Sequence, residues 1–255
     1  MRVLIYLCLS GGPLWAGVEG PSTRSARSGE KQMNTRQEQL LKYVIDSHIE
    51  TGEPVGSTRL VEGYRLDISP ATVRHDLLAL EEEGFLMHPH TSAGRIPTAA
   101  GYRYYVNHLQ SLPALSRDER VSLERVRSQR EEARLKELAR TLALLTNETV
   151  IVAIGRNSLY YTGVKNLFTK PEFSAAPQVV ALSELLDDMD ACFDRLWNDI
   201  TDEVTTRIGM EGAFGTECST ISIRMSPDTA YVLLGPLRMR YDHNMALLKE
   251  IQKLF

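Results

Sequence analysis

The sequence predicts an α+β protein with two parts, and three observations support this prediction. Residues 34–110 carry three helical patterns, then two short strand patterns, then a fourth helical pattern. From residue 148 onward, strand patterns are separated by helical ones, which is typical of an α+β domain. The length of 255 residues also suits two domains, because single domains usually have about 100–200 residues.

The composition excludes several classes of protein. Hydrophobic residues make up 43% and charged residues 24% of the chain, and the longest apolar run is too short to cross a bilayer, so we expect no membrane contact. The net charge of -4 means that any nucleic-acid contact must come from a local patch. Cys8, Cys192 and Cys218 lack the spacing of a zinc site or a disulfide framework, and we expect buried thiols in a reducing cytoplasm.

Residues 1–32 fit two interpretations. Arg2 followed by the apolar residues 3–9 is typical of a secretory signal, whereas residues 21–32 are polar and without pattern. A strong helical pattern starts just after Met33. We therefore expect translation to begin at Met33, or residues 1–32 to form an unstructured extension, with export as the alternative.

Two helices are predicted between residues 35 and 63. Thr35 and Glu38 have the spacing of a capping box, which would begin the first helix. Apolar residues then recur at three-to-four spacing until Gly52 ends the pattern. Ser57 is predicted to cap a short second helix that ends at Gly63.

The third helix has the clearest start in the chain. Ser69 occupies the N-cap position and Pro70 the first helical position. Rotation by about 100° per residue places Val73, Leu77 and Leu80 on one face. The outward side of the helix start then carries Ala71, Thr72, Arg74 and His75. A small, polar and cationic tip of this kind is typical of a helix that enters the major groove of DNA.

A short hairpin and a fourth helix follow. Residues 85–89 and 95–97 are predicted strands joined by a turn, and Thr98 is predicted to cap the fourth helix. This order of elements is that of a winged helix-turn-helix, which we predict for residues 34–110. Arg95 is expected to lie along phosphates or to enter a minor groove. The acidic residues 81–83 are expected to lie well away from the DNA.

The predicted DNA-contacting residues lie at the second helix, at the third helix and in the hairpin. Most are small or polar, and two are arginines. They are Ser57, Thr58, Ser69, Ala71, Thr72, Arg74, His75, His90, Thr91, Ser92 and Arg95.

Four segments of this part resemble the heat-inducible transcription repressor family HrcA. They are 52–57 (GEPVGS), 69–74 (SPATVR), 80–86 (LEEEGFL) and 89–98 (PHTSAGRIPT). The resemblance implies a repressor, without cofactor or metal, that binds an inverted-repeat operator upstream of chaperonin and chaperone operons. It also implies regulation by the GroEL chaperonin, and a two-fold operator calls for a homodimer. The family usually has Asn where this chain has His75, so the base contacts are expected to differ there.

The rest of the chain is predicted as a linker helix at residues 111–147 and an α+β domain at residues 148–255. Strands are predicted at 150–154, 159–161, 219–225 and 231–234, with helices at 177–200 and 242–255. The segments 163–168 (GVKNLF) and 234–241 (LGPLRMRY) also resemble HrcA, whose C-terminal region resembles a GAF fold. The resemblance therefore implies a shortened GAF-like regulatory domain, because residues 155–158 replace a long stretch that includes the family's dimerisation element.

Two other functions compete with that of a repressor. An enzyme is not expected, because the sequence contains no nucleophile elbow, phosphate loop or His-Glu-x-x-His motif. The alternative is a ligand- or partner-sensing GAF-like regulator whose winged helix mediates protein contact. The polar tip of the third helix favours the repressor.

Overall fold

The computed structural model describes residues 33–89, 94–128, 131–154 and 158–254. Residues 34–255 form one compact unit that contains helices, a two-stranded sheet and a five-stranded sheet. The predicted α+β class is therefore confirmed. None of the helices in these ranges is long and apolar enough to span a lipid bilayer. The predicted extension at residues 1–32, including Cys8, lies outside the described residues.

Helix α1 spans Thr35–Thr51 and is capped one residue earlier than predicted. The Oδ1 of Asn34 accepts a hydrogen bond from the backbone N of Gln37 at 3.0 Å, and the Oε1 of Gln37 accepts one from the backbone N of Asn34 at 3.1 Å. The prediction that Thr35 and Glu38 form the capping box is wrong, because Asn34 and Gln37 offer the same spacing. The helix ends before Gly52 as predicted, with a φ of 72° at that glycine.

Helices α2 (Ser57–Tyr64) and α3 (Pro70–Glu82) follow. Gly56 is the N-cap of α2, so the prediction that Ser57 caps this helix is wrong; Ser57 is instead buried in the first turn. The predicted start of α3 is confirmed, because the Oγ of Ser69 accepts a hydrogen bond from the backbone N of Thr72 at 3.1 Å. Proline at the next position loses no helical hydrogen bond there.

A hairpin of two short strands, β1 (Leu86–Met87) and β2 (Ile96–Pro97), precedes helix α4 (Ala99–Asn107). Both strands are shorter than predicted. Arg95 lies outside β2 and pairs with Val55 instead: each backbone N donates to the other residue's carbonyl oxygen, at 2.9 and 2.8 Å. Gly94 is needed beside this bridge, since a Cβ there would lie 2.8 Å from the backbone of Pro54 and Val55.

The region predicted as one linker helix is divided. It forms α5 (Arg117–Glu124), a 3-10 helix (Arg125–Ser128) and α6 (Glu131–Thr146), so the prediction of a single helix is wrong. Helix α6 packs against the five-stranded sheet, where the hydroxyl of Tyr231 donates a hydrogen bond to the carbonyl oxygen of Leu135 at 3.0 Å. The second half of the predicted linker therefore contributes to the C-terminal core.

The five-stranded sheet is antiparallel throughout, with strand order β4-β3-β7-β6-β5. Its strands are β3 (Thr149–Ile154), β4 (Leu159–Thr162), β5 (Thr205–Ile208), β6 (Cys218–Ser226) and β7 (Thr229–Pro236). Four of these strands confirm sequence predictions. The edge strand β5 was not predicted, because its sequence, TTRI, lacks alternating apolar residues.

Helices cover both faces of this sheet, which explains why β3 and β7 are buried along almost their whole length. Ile151, Ala153 and Val232 face a core formed with α8 and α9, whereas α6 and α10 contact β3 and β6. The chain turns at Asp188, so the predicted single helix at 177–200 is wrong. The helices not yet named are α7 (Val164–Phe168), a 3-10 helix (Pro171–Phe173), α8 (Ala176–Asp187), α9 (Met189–Trp197) and α10 (Tyr241–Gln252).

One arginine joins helix α1 to the C-terminal part of the fold. The Nη1 of Arg238 donates a hydrogen bond to the carbonyl oxygen of Ile49 at 3.0 Å, while its Nε donates to the Oε1 of Glu172 at 2.5 Å. Ile49 lies in the last turn of α1, where carbonyl groups lack partners within the helix. Arg238, from the C-terminal part of the chain, therefore provides a donor for a carbonyl group at the end of α1.

His48 lies beside this arginine and is only 9% exposed. Its Nδ1 forms a hydrogen bond with the hydroxyl of Tyr102 at 2.6 Å. Burial, reinforced by the positive charge of Arg238, lowers the pKa of His48 to about 4. His48 is thus neutral in the folded protein at pH 7, and a protonated imidazole would disfavour this arrangement.

We expect the variant His48→Gln to lose less stability in acid than the wild-type protein. Because the folded pKa is lower than the unfolded value of 6.5, the unfolded chain binds the extra proton as the pH falls from about 6.5 to about 4. This difference in proton binding lowers the free energy of unfolding of the wild type by on the order of 3 kcal/mol at pH 4. Urea unfolding between pH 4 and 8 measures it, with the exposed His108→Gln as control. A constant stability difference between His48→Gln and wild type across this range would contradict the prediction.

Candidate nucleic-acid interface

The start of α3 presents an exposed tip. Ala71, Arg74 and His75 are exposed, whereas Val73 and Leu77 are buried on the opposite side of the helix. The first turn of α3 contains no acidic residue. The unpaired N–H groups and the dipole of the helix start favour an anion at this end. The tip therefore combines one exposed cation with a positive helix terminus.

The predicted residues beside this tip differ in exposure. Thr72 is half-buried, and its Oγ1 lies 3.0 Å from the Oγ of Ser69, which itself remains exposed. On α2, which packs against α3, Thr58 is exposed but Ser57 is only 7% exposed. Ser57 therefore serves the packing of the helices, because its side chain is withdrawn from the surface.

An ion pair between a buried carboxylate and an exposed arginine, which the sequence analysis did not predict, joins α3 to α1. Asp76 is only 3% exposed, and its carboxylate accepts hydrogen bonds from the Nε of Arg36 at 2.7 Å and from its Nη2 at 3.1 Å. Two parallel bonds of this kind define the orientation as well as the distance of the partners. The pair connects the first turn of α1 with the residue that follows His75. A carboxylate in register with Val73 and Leu80 on the apolar face was the signal available in the sequence.

The side chain of Arg95 contacts other side chains of the protein. Its Nε lies 2.7 Å from the Oε2 of Glu81, and its Nη1 contacts the Nδ1 of His88. The side chain is 16% exposed. Glu81, at the acidic end of α3, therefore lies beside a residue that the sequence predicts to contact DNA. The remaining predicted contacts of the hairpin, His90, Thr91 and Ser92, lie outside the described residues.

The described ranges give little support to a metal site or to a reactive cysteine. No group of three His, Cys, Asp or Glu side chains gathers there as metal ligands. Cys192 and Cys218 are buried and unpaired, as expected of them, and burial raises the pKa of the Cys218 thiol to about 12. Such a thiol is a poor nucleophile at pH 7.

A family model described as the HrcA protein C-terminal domain matches residues 105–245. Among curated proteins, the chain is 34% identical over 193 residues to the heat-inducible transcription repressor HrcA of Bifidobacterium adolescentis, covering 74% of this chain and 50% of that protein. It is 41% identical over 123 residues to the HrcA of Carboxydothermus hydrogenoformans, covering 47% and 36%. The chain thus spans between about a third and a half of these relatives' length.

A solved structure has a similar fold. The crystal structure of a hypothetical protein superposes with a TM-score of 0.69 over 87% of this chain and 96% of that chain, at 19% sequence identity. At this identity the likeness concerns the fold alone.

We expect the variant Asp76→Asn to melt at a lower temperature than the wild-type protein, by roughly 2 °C or more. The substitution replaces a buried carboxylate with an amide whose NH₂ group cannot accept a bond from Arg36. Calorimetry measures the change. Glu132→Gln, which breaks the exposed pair with Lys136, is the control and should leave the melting temperature unchanged. Equal melting temperatures for the two variants would contradict the role assigned to Asp76.

Proposed function

The chain belongs to the HrcA family, whose model matches more than half of its residues, and from this premise we propose that it is a DNA-binding transcription repressor of heat-shock chaperone operons. We propose further that residues 34–110 are a winged helix-turn-helix and residues 148–255 a GAF-like regulatory domain, joined through residues 111–147.

The observation that carries this proposal is the exposed tip of α3. Arg74 and His75 are exposed, and Ala71 leaves room for close approach at the helix start. The helix itself is held from behind by a buried apolar face and by Asp76. A rigidly held helix that presents small, polar and cationic groups suits insertion into the major groove.

The order of elements supports the same proposal. Three helices, a hairpin and a fourth helix occur between Thr35 and Asn107. Val55, which precedes α2, pairs with Arg95 next to the second strand of the hairpin, so that these two segments support each other. Such an arrangement places a hairpin beside the proposed recognition helix, where it would follow the DNA backbone.

The proposed operator is an inverted repeat, and we propose that two copies of the chain bind it as a homodimer. Each half-site then meets one copy of α3, with the two-fold axis of the DNA matching that of the protein. The resemblance of the wing and C-terminal segments to HrcA also supports regulation by the chaperonin GroEL and a site of action in the cytoplasm. No cofactor is proposed.

We expect Arg74→Ala to weaken binding to an inverted-repeat chaperone operator by roughly tenfold or more, the loss for one good charged contact to DNA. A gel-shift titration of residues 33–255 against the operator and a scrambled duplex, at two salt concentrations, measures this. Arg120→Ala removes an exposed arginine from α5 and is the matched control. Equal affinities of the wild type for the two duplexes would overturn the repressor proposal and favour a winged helix that contacts protein.

The same titration tests the assembly. A half-site duplex should bind much more weakly than the full repeat if two copies bind together. Adding GroEL should increase the active fraction of the repressor, and an unchanged fraction would contradict the proposed regulation.

A further inference from the structure

Arg95 is the candidate residue of the hairpin that lies within the described ranges, and it makes several contacts there. Its backbone N and O both pair with Val55, and its side chain meets Glu81 of α3 at 2.7 Å and contacts His88 near the end of β1. The residue thus joins three segments: the one before α2, the end of α3 and the start of the hairpin. Its side chain already contacts protein groups.

Glu81 explains why an arginine is needed here. It lies in the last turn of α3, where the negative end of the helix dipole disfavours a carboxylate. Its side chain is 27% exposed, so solvent screens the charge only in part. The guanidinium of Arg95 supplies the cation that this end of the helix favours, and neutralises Glu81 at the same time.

The backbone around Arg95 leaves little freedom. A Cβ on Gly94 would lie 2.8 Å from the carbonyl carbon of Pro54 and the N of Val55, so the two chain segments are in close contact. The backbone of Arg95 pairs with Val55 and its side chain lies against Glu81, so this residue contributes to the position of the hairpin relative to α3.

We propose that Glu81 and Arg95 form a positioning pair, which sets the distance between α3 and the hairpin on DNA, and that Arg95 does not neutralise a phosphate. This inference rests on the proposed function. An arginine paired with a carboxylate carries no net charge to the DNA surface, so it releases no counterion when DNA binds. Its contribution to affinity comes through the geometry of the hairpin.

The variant Glu81→Gln should change the affinity for the operator in opposite directions for the two possible roles of Arg95. If Arg95 contacts phosphate, removing the competing carboxylate frees the guanidinium and strengthens operator binding. If the pair positions the hairpin, the same substitution weakens operator binding, by roughly threefold or more, as expected for loss of one partly buried ion pair. We expect the weaker binding, in a gel-shift titration against the inverted-repeat operator. Unchanged or tighter binding by Glu81→Gln overturns the proposal.

Charge reversal provides the second readout. Arg95→Glu alone should bind the operator weakly, because it faces Glu81, whereas the double variant Glu81→Arg with Arg95→Glu should recover most of the affinity. The salt dependence of the double variant should equal that of the wild type. A slope smaller by about 1, or no recovery, means that Arg95 contacts a phosphate and overturns the proposal.

Controls separate folding and function from the pair itself. Reversal of the exposed pair Glu132 and Lys136 on α6 should leave operator binding unchanged. Melting temperatures identify any variant that fails to fold, and the milder Glu81→Gln then decides. If the wild type does not prefer the operator to a scrambled duplex, the repressor proposal and the pair both fail. If it does prefer the operator, tighter binding by Glu81→Gln contradicts only the positioning role of the pair and leaves the repressor proposal intact.

Discussion

The contact between Arg238 and the end of α1 joins the N-terminal helices to the C-terminal part of the fold through a single guanidinium group. Arg238 donates to the carbonyl oxygen of Ile49 and to Glu172, so one guanidinium satisfies a helix end and a carboxylate together. Gly52 leaves room for this approach, since a Cβ there would lie 3.3 Å from the Cζ of Arg238. Without the arginine, both acceptors would lose a charged donor in a half-buried place, which is costly. The lowered pKa of His48 follows from the same neighbourhood.

Two further ion pairs join α1, α3 and the hairpin, which together carry the proposed DNA-binding surface. Arg36 at the start of α1 binds Asp76 in the middle of α3, and Glu81 at the end of α3 binds Arg95 in the hairpin. Each pair joins segments that are distant in the chain. The pair between Arg36 and Asp76 helps to hold α3 in place against α1. This arrangement connects the C-terminal half of the protein to the proposed recognition helix by specific contacts.

The candidate site was predictable where the signal is local. The N-cap at Ser69, the proline after it and the exposed tip follow from rules that operate within one helix turn. The cap of α1 was misplaced by one residue because Asn34 and Thr35 satisfy the same rule. The pairing of Arg95 with Glu81 was missed for a different reason: a sequence shows that both residues are charged, but whether an arginine faces solvent or a carboxylate depends on how the hairpin folds back.

By itself the sequence determined the helices with strong caps, the strands with apolar runs and the resemblance to HrcA, because each depends on residues close together in the chain. Tertiary structure alone decided the break at Asp188, the added edge strand β5 and the packing of α6 on the sheet, where long-range burial overrides weak local preference. It also decided the partner of every long-range ion pair. Charges separated by tens of residues carry no local signal, and only packing selects which of many acceptors an arginine meets.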